Sequence, residues 1–157
     1  MATKVSVGSF VKDVNVAPVV QAVPHGMSGT PAAVIFFFSG QTSADAFATG
    51  YRGGIGFCTA TSSYSMGAGA TEAADPTNTS KAIYANPIVI VSPSETVTAV
   101  AAFVSIDSTN VNLNWTTNDS TAHIINFIAL GGDISAAKVV NWQAPATAIE
   151  QAVTGFG

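Results

Sequence analysis

Residues 96–132 restrict the fold more than any other stretch of the chain. From Val97 they read VTAVAAFVSIDSTNVNLNWTTNDSTAHIINFIALGG, three strand-like runs separated by turn-forming residues. In the first run Val97, Ala99, Ala101 and Phe103 alternate with Thr98, Val100, Ala102 and Val104, so neither face is strongly polar and both faces are expected to be covered. The second alternates cleanly, Val111, Leu113 and Trp115 against Asn112, Asn114 and Thr116, as a strand with one wet face does. The third, from His123 to Leu130, is almost continuously apolar. Between them, Asp107-Ser108-Thr109-Asn110 and Thr117-Asn118-Asp119-Ser120 carry short side chains that bond their own backbone in tight turns. The expectation is a three-stranded meander.

The rest of the chain has the same character. Val5, Val7, Ser9 and Val11 alternate with Ser6, Gly8 and Phe10, and a further run covers residues 18–23 before a stretch dense in Pro and Gly at 24–31. Ala32-Ala33-Val34-Ile35-Phe36-Phe37-Phe38 is too short for a helix and rich in aromatic and β-branched residues, which places it at the centre of a sheet with cover on both sides. Residues 39–54 read as a loop, with Ala44 to Ala48 able to form one helical turn. Residues 54–61 resume a strand whose glycines mark a bulge or a close backbone approach. Residues 62–80, small and polar, read as an irregular excursion or a contact arm, and short strands follow at 81–84 and 88–91. Apart from residues 144–153, no segment has capped helical periodicity. About ten short strands with turns between them predict an all-β, antiparallel β-sandwich, with a jelly roll as the first topology and an immunoglobulin-like arrangement as the second. Residues 1–137 form the expected sandwich domain and 138–157 a C-terminal strand segment.

Only 9% of the residues are charged, against about 25% in an average globular domain. Solvent-facing positions are therefore filled by small and uncharged side chains, which cost little to desolvate when a neighbour docks. The net charge of −4 is scattered singly, with no basic cluster for phosphates and no basic amphipathic segment for a bilayer surface, so neither nucleic acid nor membrane is expected as a partner. The longest apolar run is far too short to span a membrane. Met1-Ala2-Thr3-Lys4 leads into a strand without a signal-peptide core, and the single cysteine, Cys58, has no intrachain mate; both suit synthesis in a cytoplasm.

Nothing in the sequence assembles a catalytic, metal or cofactor site. His25 and His123 have no carboxylate at metal-ligand spacing and read as hydrogen-bonded structural residues. Cys58 reads as a small buried hydrophobe, and no serine completes a Gly-x-Ser-x-Gly elbow. The aspartates sit in turns, where they cap amides; Asp107 and Asp119 are the pair that could contribute to a calcium site. Trp115 reads as core. Tyr51, Tyr64 and Trp142 are the aromatics that could stack on a sugar ring, which makes a carbohydrate-binding module the alternative from another functional class.

The last twenty residues echo the first. Lys138-Val139-Val140-Asn141-Trp142 resembles the opening strand, and Gln151-Ala152-Val153 repeats Gln21-Ala22-Val23. Val139, Val140, Trp142, Ile149, Val153 and Phe156 are too apolar for a free tail and are the expected intersubunit contacts. Together with the VGSF strand at 7–10, PxAVIFF at 31–37, GxGFxT at 54–59, LNWTT at 113–117 and FIALGG followed by KV at 127–139, the chain resembles a module of tailed-bacteriophage structural proteins. The resemblance spans most of the chain and rests on packing and turn motifs. It implies a virion location and a non-enzymatic role, a capsid decoration (cement) protein contacting copies of itself and a major capsid protein, or else a tail-fibre, receptor-recognising module.

Overall fold

The computed structural model describes residues 2–76, 78–134, 136–140 and 142–147. Ten strands are present among them, and no described residue is helical. They are β1 (Lys4–Val11), β2 (Val19–Pro24), β3 (Ala33–Phe38), β4 (Tyr51–Cys58), β5 (Ser63–Ala70), β6 (Thr79–Tyr84), β7 (Ile88–Val91), β8 (Val97–Ile106), β9 (Asn110–Thr117) and β10 (Ile124–Gly131). Six form one antiparallel sheet in the order β1-β10-β3-β4-β5-β6, and four form the other in the order β2-β9-β8-β7. The two pack face to face as a β-sandwich. The β1–β10 and β2–β9 pairings wrap as the outer pairs of a jelly roll do, but β3 to β6 stay in one sheet as consecutive antiparallel neighbours, so the jelly-roll alternation is not met.

The core forms where the inward faces meet. Val34, Phe36 and Phe38 from β3, Ile125, Phe127 and Ala129 from β10, and Val111, Leu113 and Trp115 from β9 make one buried cluster with Ile88 and Ile90 of β7. The other side of β7 is buried as well, because Val89 and Val91 pack with Val100 and with Ala82 and Tyr84 of β6.

Three expectations need correction. Residues 96–132 are not a three-stranded meander: β8 and β9 pair as a hairpin, while β10 crosses into the other sheet between β1 and β3. The physical reason lies in the links. Asp107 closes the first tightly, its carboxylate accepting from the amides of Thr109 (2.7 Å) and Asn110 (2.8 Å). Residues 118–123 form a longer link, with enough reach to cover the roughly 10 Å between packed sheets. Second, residues 62–80 are not all irregular, since β5 pairs along its whole length with β4. Third, the Phe-rich strand is central but covered on one side: Phe36 and Phe38 are in the core, while Phe37 faces out, 38% exposed.

The glycines of β4 and β5 determine which way their neighbours point. Gly54, Gly56, Gly67 and Gly69 face the second sheet, and a Cβ at Gly56 would lie 1.7 Å from the Pro87 carbonyl oxygen. Gly56 is the close backbone approach that the sequence offered as one of two readings for the glycines of residues 54–61. With four inward positions limited to hydrogen and the others to Cys58 and Ser65, the large apolar side chains on these strands occupy the alternate, outward positions.

Candidate functional site

The outward face of the six-stranded sheet carries the consequence of that inversion. Strand register lines up Val7, Ile128, Ile35, Phe57 and Tyr64 in one row across five strands. A second row runs Phe37, Ile55, Met66 and Ile83. Val5 and Leu130 extend the apolar surface at the β1 side. Phe57 is 36% exposed, Met66 53% and Ile83 68%. Lys81, opposite Ala68, is the charge that interrupts the face on β6. On the four-stranded sheet, by contrast, β9 turns Asn112, Asn114 and Thr116 away from the core, as its alternation anticipates.

The sequence-derived contact residues lie partly on this face. Val139, Val140 and Trp142 line an apolar groove with Ile55, Phe57, Tyr64, Met66 and Ile83, so the stretch after β10 lies against the outside of its own sheet. They join no strand, and Trp142 remains 47% exposed. Ile149, Val153 and Phe156 lie outside the described residues, as do Met1, Thr77, Ser135, Asn141 and the remainder of 148–157.

Beside that groove the same face opens into a trough of about 850 Å³. Ala68 forms its floor, the Tyr51 ring lies over Gly53, which pairs with Ala68 across β4 and β5, and Ile55, Met66 and Ile83 form its walls. Lys81 stands at its β6 margin.

A polar cleft of about 520 Å³ opens at one end of the sandwich, between residues 39–52, residues 70–73 and the link before β10. Tyr51, Arg52, Glu72 and Thr121 line it, and His123 is at its base, fully buried. The His123 Nδ1 bonds the Gly40 carbonyl at 3.1 Å, which fixes the neutral tautomer with its lone pair on Nε2. Nε2 has no hydrogen-bond partner among the described residues. Burial holds the imidazole below its ordinary pKa and outweighs the Gly40 carbonyl and Asp119, which favour the charged form.

Behind the cleft is a network that sequence reading did not find. Lys12 is fully buried at the end of β1, where its ammonium donates to the carbonyls of Asp119 (2.7 Å) and Asp13 (3.1 Å) and to the Asn118 side chain. It pairs with the Asp119 carboxylate at 3.2 Å and stands 5.5 Å from the Trp115 ring centroid. Trp115 Nε1 donates to Gln21 Oε1 at 2.9 Å, and Gln21 Nε2 donates back to the Val11 carbonyl at 2.7 Å. Every donor of the buried ammonium is thus engaged, which is what makes a charge tolerable there. Lys12 and Asp119 stand far apart in sequence, and only the return of the 118–121 link over the end of β1 makes them a pair.

The remaining candidates are placed plainly. His25 is buried and pins the link after β2, its Nε2 to the Asp107 carbonyl and its Nδ1 accepting from the Met27 amide, both 3.1 Å. Cys58 is buried, its thiol pushed up to about 12 by desolvation. Asp107 is spent on turn amides and Asp119 on Lys12, so the two are not brought together. Among the described residues no three His, Cys, Asp or Glu side chains are grouped to hold a metal ion. Trp115 is core, Tyr64 is half-buried in the outer apolar rows, and Tyr51 is 56% exposed between cleft and trough. Compared with known proteins, the chain matches no family model, no curated protein and no solved structure.

Proposed function

We propose that this chain is a non-enzymatic structural subunit of a virus particle, a capsid decoration protein of the tailed-bacteriophage kind, that works by packing against copies of itself and a major capsid protein. The observation that carries this reading is the inverted strand pair: β4 and β5 turn glycine toward the core and Ile55, Phe57 and Met66 away from it. A strand that spends its large apolar residues on the outside is suited to a chain whose outside becomes an interior. Six strands about 4.8 Å apart and about 25 Å long make a face on the order of 600 Å², extended by the apolar Val139, Val140 and Trp142 that lie against part of it. A contact area of that order approaches the roughly 800 Å² per partner of a stable complex. The sparse charge and the phage-module motifs support the same reading.

The test is co-sedimentation of the purified chain with virus particles stripped of accessory proteins. Saturable binding at a fixed stoichiometry, lost on Phe57→Ser, is the expected result. A second reading, a tail-fibre or carbohydrate-binding receptor module, is favoured by Tyr51, whose exposed ring borders a cleft holding Arg52 and Glu72. Binding to host polysaccharide in place of particles would select it.

A further inference from the structure

Phe47 is the most exposed large hydrophobic side chain among the described residues, at 105%, and it stands on a loop whose neighbours Ala44, Asp45 and Ala46 are also exposed. A phenyl ring held free of every neighbour forgoes the roughly 1.5–3 kcal/mol that burial of such a side chain supplies. The trough between β4, β5 and β6 has the complementary shape. Its floor at Ala68 carries nothing beyond a methyl group, the Tyr51 ring folds back over the neighbouring Gly53, and Ile55, Met66 and Ile83 rise around it. Charge agrees as well. Among the described residues neither Asp45, two residues before the ring, nor Lys81, which pairs in register with the floor residue Ala68, makes a hydrogen bond or an ion pair.

We infer that a second copy of this chain inserts Phe47 into the trough over Ala68, beside the Tyr51 ring, with Asp45 of the inserted loop meeting Lys81 at the rim. The inference rests on reading the outer sheet face as a protein contact. It adds the mode of that contact: the inserted ring and the trough are different places on the chain, so the contact is head-to-tail. Each copy keeps one donor element and one acceptor element, and association proceeds until a ring closes. Spacing supports the pairing of charges, because the Lys81 Cα lies one strand, about 4.8 Å, from Ala68, and Asp45 and Phe47 are separated by a similar distance along the loop.

The experiment is light scattering coupled to size exclusion, over a concentration series up to about 1 mM. Wild type is expected to form closed oligomers, and Phe47→Ser to weaken self-association by about thirtyfold or more, as loss of a central aromatic contact does. Ala68→Trp, which fills the trough, is expected to do the same, with far-UV circular dichroism unchanged in both. Mixed one to one, the two variants form a dimer and nothing larger, because one supplies an intact trough and the other an intact Phe47. Asp45→Lys weakens association and Lys81→Asp in the same chain restores it. A wild type that stays monomeric throughout, a Phe47→Ser variant that associates as wild type does, or a mixture that behaves as its components do would each overturn the head-to-tail contact. Particle binding, measured separately, decides the structural role itself.

Discussion

Gly56→Ala adds one methyl group at the place where the two sheets approach most closely. The new Cβ would lie 1.7 Å from the Pro87 oxygen and 2.8 Å from its carbonyl carbon, whereas real Cβ contacts do not fall under 3.0 Å. The sheets must therefore separate locally by about 1.3 Å, the difference between 3.0 Å and 1.7 Å. The obstacle is backbone, leading into β7, whose Ile88 and Ile90 are in the core and whose Val89 and Val91 are in the second cluster. Overpacking costs about 1–3 kcal/mol where side chains can give way, and a radial gap of 1 Å already forfeits up to about half of each dispersion contact. We expect a loss of about 3 kcal/mol or more, about 6–12 °C in Tm for a chain of this length. Gly8→Ala is the control. Its Cβ meets the Phe127 ring at 2.7 Å, a side chain that can tilt, at the edge strand β1, and about 1 kcal/mol is expected. Urea titration followed by far-UV circular dichroism, at one fixed low protein concentration, reads both variants. A Gly56→Ala protein within about 1 kcal/mol of wild type, or a Gly8→Ala protein just as damaged, would refute the claim that backbone contact at β4 dictates the outward placement of Ile55 and Phe57.

Met66→Lys and Phe57→Ser, both on the outer face, are expected to leave monomer stability within about 0.5 kcal/mol and to reduce self-association in sedimentation velocity. Asp119→Ala leaves Lys12 buried without its carboxylate and is expected to cost about 3 kcal/mol in chemical denaturation, the low end for a buried pair because Asp119 is partly exposed. His123 is held by burial below its ordinary 6.5, so below that pH the unfolded chain binds a proton that the folded one refuses. Its contribution is whole above 6.5 and is lost as pH falls toward the folded value; Tm should drop in that window, and His123→Gln should remove the drop. Burial alone would raise the Asp119 carboxyl, but the Thr121 amide and Lys12 outweigh it and hold it below its ordinary 3.8. Its stabilisation is present above 3.8 and lost as pH falls through the folded value, a second acid transition that Asp119→Asn should abolish. Truncation after Lys138 should keep the β spectrum, since the described residues beyond 138 join neither sheet nor core cluster, and should weaken self-association.

Strand identity was legible where side chains carry it. The alternation of β9, the Phe-rich β3 and the buried Trp115 all follow from period-two patterning and are where that pattern places them. The strand β5, SYSMGAGA, was not legible, because Ser, Gly and Ala have weak strand preference and hide the alternation of Met66 with Gly67. Its pairing comes from β4 and β6 on either side, a tertiary cause. The path of β10 was equally hidden, since adjacent runs joined by turn residues can pair or can change sheets, and only the length of the link and the vacancy between β1 and β3 decide. A strand apolar on both faces says that both faces need cover without saying whose atoms provide it, which is why Phe37 was placed in an interior that its own fold does not enclose. Of the contact residues read from sequence, Val139, Val140 and Trp142 reach the outer face. Phe47 and the trough went unread, because a lone aromatic in a loop has no pattern around it.

The inversion of β4 and β5 separates two kinds of inherited constraint along the same few codons. At Gly54, Gly56, Gly67 and Gly69, substitution should destroy the subunit itself, and selection would act on folding and abundance in the cell. At Ile55, Phe57, Met66 and Ala68, the intervening positions, substitution should leave a well-folded, soluble chain that fails only when copies must come together. A saturation library scored once for expression and once for assembly would then show tolerance switching between the two screens at every second residue, and odd and even positions of one strand would drift under different pressures.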